Sequence, residues 1–189
     1  MLKKLFNIGS DRPQSSETTD LAGLAGERAE YYFSSRRLSC SESSLLVINR
    51  ALGGGLSDEQ AVSLGSGFGG GIGDSGCVCG AISGAVMALG LFLGPGIKGA
   101  PSKKRLRKLV GEFHDRFRET SGTVCCRDLL VDFRKDRKGR SSFCRGLTGR
   151  CTADAARIIL QERPELAAMA AAEFLKGDDA AAGGNKAKL

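Results

Sequence analysis

The sequence predicts an all-α fold, a compact helical bundle around a central apolar helix at about residues 77–93. Apolar residues recur at helical spacing in several segments, and Ser and Gly stand where helices would begin and end. No segment alternates apolar and polar residues over a useful length. With 189 residues, 41% of them hydrophobic, the chain is large enough to bury one ordinary core.

The first half of the chain has clear helix boundaries. Apolar residues at helical spacing predict a first helix over about 20–37. Ser-Cys-Ser-Glu at 39–42 predicts a capping box at the start of a second helix, which the three glycines at 53–55 end. Ser-Asp-Glu-Gln at 57–60 predicts another capping box, which opens a short third helix.

The second half contains the apolar helix and a basic one. Gly-Pro-Gly at 94–96 stops the apolar helix, and Ser102 caps an amphipathic helix that runs to about Thr120. A short helix follows around Leu129. Beyond it we predict a charged loop, and then a helix only from about 151 to 162, before Pro164.

We assign residues 20–176 to a single helical domain, whose last helix covers 165–176. Residues 1–19 are expected to be a disordered N-terminal segment, and 177–189 a disordered tail with too little apolar surface to order itself. The lysines near the N-terminus precede too short an apolar stretch for a signal peptide. We therefore expect a cytoplasmic protein, whose thiols are reduced or metal-bound.

The stretch 76–97 raises the question of a membrane span, because its 22 residues carry no charge. Its composition argues otherwise. Six glycines, two cysteines and a proline lower the mean hydropathy of this stretch. Its strongly apolar part covers only 85–93. A run of that length is more typical of a buried core helix, so we expect no membrane span.

The net charge of +7 is concentrated in two basic runs at 98–109 and 134–145. Apolar residues at helical spacing continue through the first run, which places its lysines and arginines on the opposite, solvated face. No aromatic side chain is interleaved on that face to stack a base. A basic face that binds nucleic acid or lipid is therefore the alternative and not the preferred interpretation.

The glycine-rich stretch 65–76 contains two G-x-G-x-x-G matches. No strand precedes it and no Gly-Lys-Ser/Thr follows, so both nucleotide-binding motifs lack their context. We expect instead that these glycines let the backbone turn tightly and pack near the cysteines.

Seven cysteines carry the main functional signal. Cys40, Cys79, Cys126 and Cys151 are each predicted to lie where a helix begins, and there the macrodipole and free N–H groups favour a thiolate. Thiolates bind metals and attack disulfides. The pattern excludes a zinc finger, since no C-x-x-C pair occurs and the single histidine, His114, lies in mid-helix.

The order of these motifs resembles the C_GCAxxG_C_C family of putative redox-active proteins, a bacterial helical domain with four characteristic cysteines and a CGAxxG motif. The resemblance covers about residues 25–162. The motifs that carry it are Cys40, GFGGGIG at 67–73, CGAISG at 79–84, Cys126 followed by RDLL, and a late cysteine before an alanine-rich helix.

The resemblance implies a redox function and assigns the four family cysteines. They would be Cys40, Cys79, Cys126 and Cys151, with Cys144 as the alternative for the last place. Cys77 and Cys125 are extras beside family positions, which could replace or assist a neighbour.

Two mechanisms fit four converging cysteines. They could ligate an iron–sulfur cluster or another thiophilic metal, for electron transfer or redox sensing with a redox protein as partner. Alternatively, one thiolate, for which Cys79 is the candidate, attacks the disulfide of a partner. A third possibility is a noncatalytic adaptor stapled by zinc. We assign no catalytic residue from the sequence.

Overall fold

Eight α-helices make up most of the chain over residues 16–35 and 38–178, which are the residues that the structure, a computed structural model, describes. They are α1 (Ser16–Ser35), α2 (Cys40–Leu52), α3 (Asp58–Ser66), α4 (Gly80–Leu93), α5 (Lys103–Ser121), α6 (Cys126–Leu129), α7 (Arg137–Glu162) and α8 (Ala172–Lys176). Two 3-10 helices, Val131–Phe133 and Pro164–Met169, lie on either side of α7. No strand occurs within these ranges, so the all-α prediction is confirmed.

The structure describes only part of the terminal segments that the sequence predicts to be disordered. Helix α1 already begins at Ser16, ahead of the predicted boundary at residue 20. The rest of the predicted N-terminal segment, residues 1–15, and the tail from 179 to 189 lie outside the described residues.

Both predicted capping boxes are confirmed. At α2, the Ser39 N–H donates to the Glu42 carboxylate at 2.6 Å, and the Glu42 N–H donates to the Ser39 hydroxyl at 3.4 Å. Ser57 and Gln60 make the same reciprocal pair at α3. Gly53 ends α2 with a φ of +68°, a left-handed conformation that glycine adopts without a steric penalty.

Helix α4 packs against α2, α5 and α7, and most of its residues are buried. It ends before Gly94, as the Gly-Pro-Gly motif predicted. In the part of the chain that the structure describes, no helix combines the length and the apolar character needed to cross a membrane.

Helix α7 corrects the prediction for residues 137–150, which are helical and not a charged loop. The helix begins after Asp136, whose carboxylate accepts from the Gly139 N–H at 2.8 Å. Packing stabilises this stretch, because α7 crosses α1 so closely that a Cβ on Gly26 would lie 2.8 Å from the Gly149 carbonyl oxygen. The predicted end near Pro164 is confirmed.

The predicted helix over 165–176 is divided in the structure. Residues Pro164–Met169 form a 3-10 helix, and only Ala172–Lys176 form an α-helix. Phe174 of α8 is fully buried, so this last short helix is part of the core. It packs against α1 and α2.

Candidate functional site

The seven cysteines divide into one disulfide and five free thiols. Cys77 and Cys125 are bonded to each other, which corrects the expectation that every thiol is reduced or metal-bound. The five free cysteines are here called the thiol cluster, and they are Cys40, Cys79, Cys126, Cys144 and Cys151.

Three of the four predicted helix starts are confirmed. Cys40 is the first residue of α2, Cys79 is the residue that caps α4, and Cys126 is the first residue of α6. Cys151 instead lies in the middle of α7, because that helix begins at Arg137. Cys144 lies seven residues before it, which is about two turns and places both cysteines on the same face of α7.

The glycines of the CGAxxG motif allow α2 and α4 to approach closely. A Cβ on Gly80 would lie 2.5 Å from the Cys40 sulfur, and one on Gly84 would lie 2.6 Å from the Ser41 carbonyl oxygen. Larger residues would push the first turn of α2 away. The motif therefore sets Cys40 beside the helix start that carries Cys79.

The glycine loop before α4 packs against the cysteines, as predicted. Gly71 has a φ of +81°, and a Cβ there would lie 2.7 Å from the Cys77 nitrogen and 3.0 Å from the Cys126 Cβ. Gly76 has a φ of +89° and adjoins the Arg127 side chain. These glycines serve close packing and a tight turn, not a phosphate cradle.

Backbone hydrogen bonds hold this loop to the turn that begins α6. The Cys79 N–H donates to the Val124 carbonyl at 2.8 Å, and the Arg127 N–H donates to the Gly76 carbonyl at 2.9 Å. The Arg127 guanidinium also donates to the Ser75 carbonyl. We call these three hydrogen bonds the clamp. Together they keep Cys79 and Cys126 near each other.

Burial controls the ionisation of the thiols. It raises the pKa of Cys79 to about 11, although the N–H groups of Ala81 and Ile82 at the start of α4 act in the opposite direction. It raises the pKa of Cys40 to about 12, against a lowering contribution from the Ser41 N–H. The predicted preference for thiolates is therefore wrong for these two residues, whose sulfurs are protonated at neutral pH.

The thiols also act on one another. Burial is the largest cause of the raised pKa values, and charge adds to it. The charges of Cys79, Cys144 and Cys126 raise the pKa of Cys40, and the charges of Cys126 and Cys144 raise the pKa of Cys79. Cys126 likewise raises the pKa of Cys144. Each pair within this set interacts, and we call its four members the inner four.

Cys151 is influenced by two of the inner four. Burial raises its pKa well above the ordinary value, and the charges of Cys79 and Cys40 add to this effect. Cys126 and Cys144 are not among the groups that act on it. These charge interactions link the four predicted cysteines with one another and with Cys144, which sequence reasoning kept as an alternate.

Charged side chains also act on the cluster thiols, among them Asp74 on Cys126 and Asp154 and Arg150 on Cys151. The positive charge of Arg140 lowers the pKa of Cys126 and of Cys144, in both cases less than burial raises it. His114 lies on α5, where its Nδ1 is 3.1 Å from the Asp115 carboxylate. Within the described residues, no group of three or more His, Cys, Asp or Glu side chains is arranged to hold a metal ion.

The chain matches one family model over most of its length. Residues 38–159 match the family described as "Putative redox-active protein (C_GCAxxG_C_C)". The chain belongs to this family. The matched range contains all seven cysteines, including both members of the disulfide. Searches of curated proteins and of solved structures found no match.

Proposed function

We propose that this member of the C_GCAxxG_C_C family performs redox chemistry at the thiol cluster, and that the cluster binds a thiophilic metal ion or an iron–sulfur cluster for electron transfer or redox sensing. One observation carries the proposal: α2, α6, α7 and the start of α4 supply free cysteines near one another, so that the charges of Cys79, Cys144 and Cys126 all raise the pKa of Cys40. Four cysteine sulfurs drawn to one ion would be a donor set for soft metals.

The cysteines have the right donor atoms for such a metal group, but they are not arranged around a common point. The donors are sulfur atoms of buried or half-buried cysteines, which suit zinc, copper(I) or iron–sulfur clusters. Among the described residues, however, no three ligands are already arranged around one point. Binding would therefore require the thiols to move closer together and to lose their protons. Once bound, an iron–sulfur cluster would supply a one-electron carrier.

The proposed ligands are Cys40, Cys79, Cys126 and one cysteine of α7. The fourth is either Cys151, which the family resemblance favours, or Cys144, whose charge raises the pKa of Cys40 and of Cys79. Two turns of α7 separate the Cα atoms of Cys144 and Cys151 by about 10 Å. A single metal ion would accordingly take one of them.

Thiol–disulfide exchange beginning at Cys79 is the second candidate. A disulfide already adjoins the cluster, which favours exchange chemistry in this part of the protein. Cys79 itself is a poor nucleophile, since it is only 4% exposed and its pKa of about 11 leaves about one thiol in 10⁴ ionised at pH 7. Metal binding therefore ranks ahead of attack by Cys79.

We further propose a cytoplasmic location and a redox protein as partner. A disulfide such as Cys77–Cys125 is compatible with that location, because disulfides of cytosolic proteins are usually transient and act in catalysis or redox sensing. The competing function is binding of nucleic acid or lipid by the exposed basic face of α5, which includes Lys103, Lys104 and Arg107. Salt-sensitive binding that is lost when these residues are changed would support it.

Purification of the full chain without oxygen tests the metal proposal. We expect iron with acid-labile sulfide and visible charge-transfer absorption, all lost in Cys79→Ser. Zinc alone would support the stapled adaptor. A metal-free protein whose five free thiols stay unreactive in air would contradict every redox function proposed for the cluster.

The chain offers a matched control for the loss of sulfur. The double variant Cys77→Ala, Cys125→Ala removes two sulfurs that lie beside the thiol cluster but outside it. Its metal and sulfide content should equal that of the unmodified protein. Loss of metal from the double variant would show that these two cysteines act as ligands.

A further inference from the structure

A second pair of cysteines borders the thiol cluster without being part of it. Cys77 and Cys125 are bonded through their sulfurs, with their Cα atoms 4.3 Å apart and a sequence separation of 48 residues. Cys77 precedes Cys79 by two residues, and Cys125 directly precedes Cys126. The pair thus connects the two chain segments that carry cluster thiols.

Accessibility distinguishes Cys77 from every cysteine of the thiol cluster, whose members are buried or, for Cys40 and Cys144, half-buried. Cys77 is exposed and Cys125 is half-buried. Cys79, Cys126 and Cys151 are at most 6% exposed. An attacking thiolate must reach a sulfur from the side of solvent, so Cys77 is the sulfur that another protein can approach.

The bond is not the sole connection between its two segments. The clamp joins the same segments through the Cys79–Val124, Arg127–Gly76 and Arg127–Ser75 hydrogen bonds. After reduction, these contacts would keep the two thiols facing each other. Closing the bond again would then be an intramolecular step within a preformed geometry.

We propose that Cys77–Cys125 is a two-electron exchange site that reacts with a protein dithiol. A partner thiolate attacks the Cys77 sulfur, and Cys125 leaves as a thiolate that takes up a proton. The second partner thiol, losing its proton, attacks the mixed disulfide and releases Cys77. The partner is oxidised to a disulfide while two electrons and two protons pass to Cys77 and Cys125, and the reverse reaction oxidises the pair.

This proposal goes beyond metal binding by the cluster and does not depend on it. The reacting sulfurs, the exposed position and the dithiol partner belong to the pair alone. The clamp predicts that the fold survives reduction, whereas a purely structural staple would be required for folding.

Trapping with a defined probe tests the proposal. The oxidised full chain is mixed with a thioredoxin variant whose second active-site cysteine is serine, so that a mixed disulfide accumulates. Peptide mapping after alkylation should find the adduct at Cys77 and an alkylated Cys125. Adduct formation at Cys77 should be at least about tenfold faster than at any cysteine of the thiol cluster, because those cysteines are free thiols and offer no disulfide to an attacking thiolate. No adduct, or an adduct on Cys125 or on a cluster thiol, would overturn the proposal.

A second measurement covers the case in which a variant fails to fold. The unmodified chain is titrated with mixtures of reduced and oxidised dithiothreitol. Samples are then alkylated, and mass spectrometry counts and locates the labels. Two labels should appear together on Cys77 and Cys125, should disappear on reoxidation, and should leave the circular dichroism spectrum unchanged. Unfolding on reduction would make the bond a structural staple and would overturn the proposal.

The two proposals fail separately. In Cys77→Ser, Cys125→Ser the trapped adduct should be absent while the metal content stays at the level of the unmodified protein. A metal-free chain that still forms the adduct at Cys77 would refute only metal binding. A chain that binds metal but forms no adduct would refute only the exchange site.

Discussion

At the scale of single residues, burial affects the pKa of the Cys79 thiol more than its position at a helix N-terminus does. The charge interactions at a helix N-terminus are worth about 0.3–1 kcal/mol at exposed sites. The pKa of Cys79 rises from 9.0 to about 11, a difference of about 3 kcal/mol in the opposite direction. Its 4% exposure explains why loss of hydration dominates. Position at a helix start could be read from the sequence, but depth in the core could not.

The raised pKa of Cys79 predicts that the metal-free protein loses stability in alkali. The unfolded chain releases this proton near pH 9 and the folded chain near pH 11, so the unfolded state binds fewer protons between these values. The free energy of unfolding should fall there, by at most about 1.4 kcal/mol per pH unit for this thiol. Urea unfolding at increasing pH measures the slope, which Cys79→Ala should reduce. Equal slopes in both proteins would contradict the assignment.

Gly80 is predicted to permit the close contact between α2 and α4, so that a larger residue there lowers the free energy of unfolding. In Gly80→Ala the new Cβ would meet the Cys40 sulfur at 2.5 Å and the Phe68 carbonyl oxygen at 2.8 Å. Overpacking of this kind costs about 1–3 kcal/mol, which urea unfolding would detect.

The same helix supplies the matched control for Gly80. Gly90 is exposed, and nothing lies within 4 Å of the position a Cβ would take. Gly90→Ala should stabilise α4 by about 0.5–1 kcal/mol, through helix propensity alone. If both substitutions had the same effect, crowding at Cys40 would not explain the glycine of the motif.

At the scale of helices, prediction succeeds where the signal is local. Ser39 and Glu42 satisfy backbone groups within one turn, so the start of α2 can be read from four residues. The first half of α7, in contrast, shows no periodic apolar pattern from which a helix could be predicted. It is helical because Leu147 and its neighbours are buried against other helices, and that contact joins segments far apart in sequence.

Asp58 is predicted to fix the start of α3 to α2. Its carboxylate pairs with Arg50, whose Nε donates to it at 2.7 Å, and both side chains are only 9% exposed. Removal of one partner from a buried ion pair costs about 3–5 kcal/mol, so Asp58→Ala should lower the free energy of unfolding by about that amount. The neighbouring Glu59 is exposed, and Glu59→Ala should cost less than about 1 kcal/mol. Comparable losses in urea unfolding would refute the role of the pair.

At the scale of the whole molecule, the site depends on contacts that no short motif contains. The family motifs were sufficient to select Cys40, Cys79 and Cys126. They did not show that Cys144 lies on the same helix as Cys151, because this depends on α7 beginning at Arg137. The disulfide was missed for a similar reason, since 48 positions separate Cys77 from Cys125 and only the folded loop brings them together.

Bound metal is predicted to stabilise the entire fold. A ligand that binds only the folded state at about 100 times its dissociation constant adds about 2.7 kcal/mol. For a chain of this size, removal of the metal with a chelator should lower the midpoint of thermal unfolding by about 5–10 °C. Differential scanning calorimetry measures the shift. An unchanged midpoint after proven removal of metal would mean that the metal does not bridge the helices.

The most direct test of the thiol cluster is a cobalt(II) titration of the full, metal-free chain without oxygen. Because the thiols of Cys40 and Cys79 have pKa values of about 12 and about 11, each ligand must release a proton as it binds. We predict saturation at one cobalt per chain, sulfur-to-cobalt charge-transfer bands, and release of about four protons at neutral pH. A titration without charge-transfer absorption or proton release would contradict the proposal that these thiols form one metal-binding site.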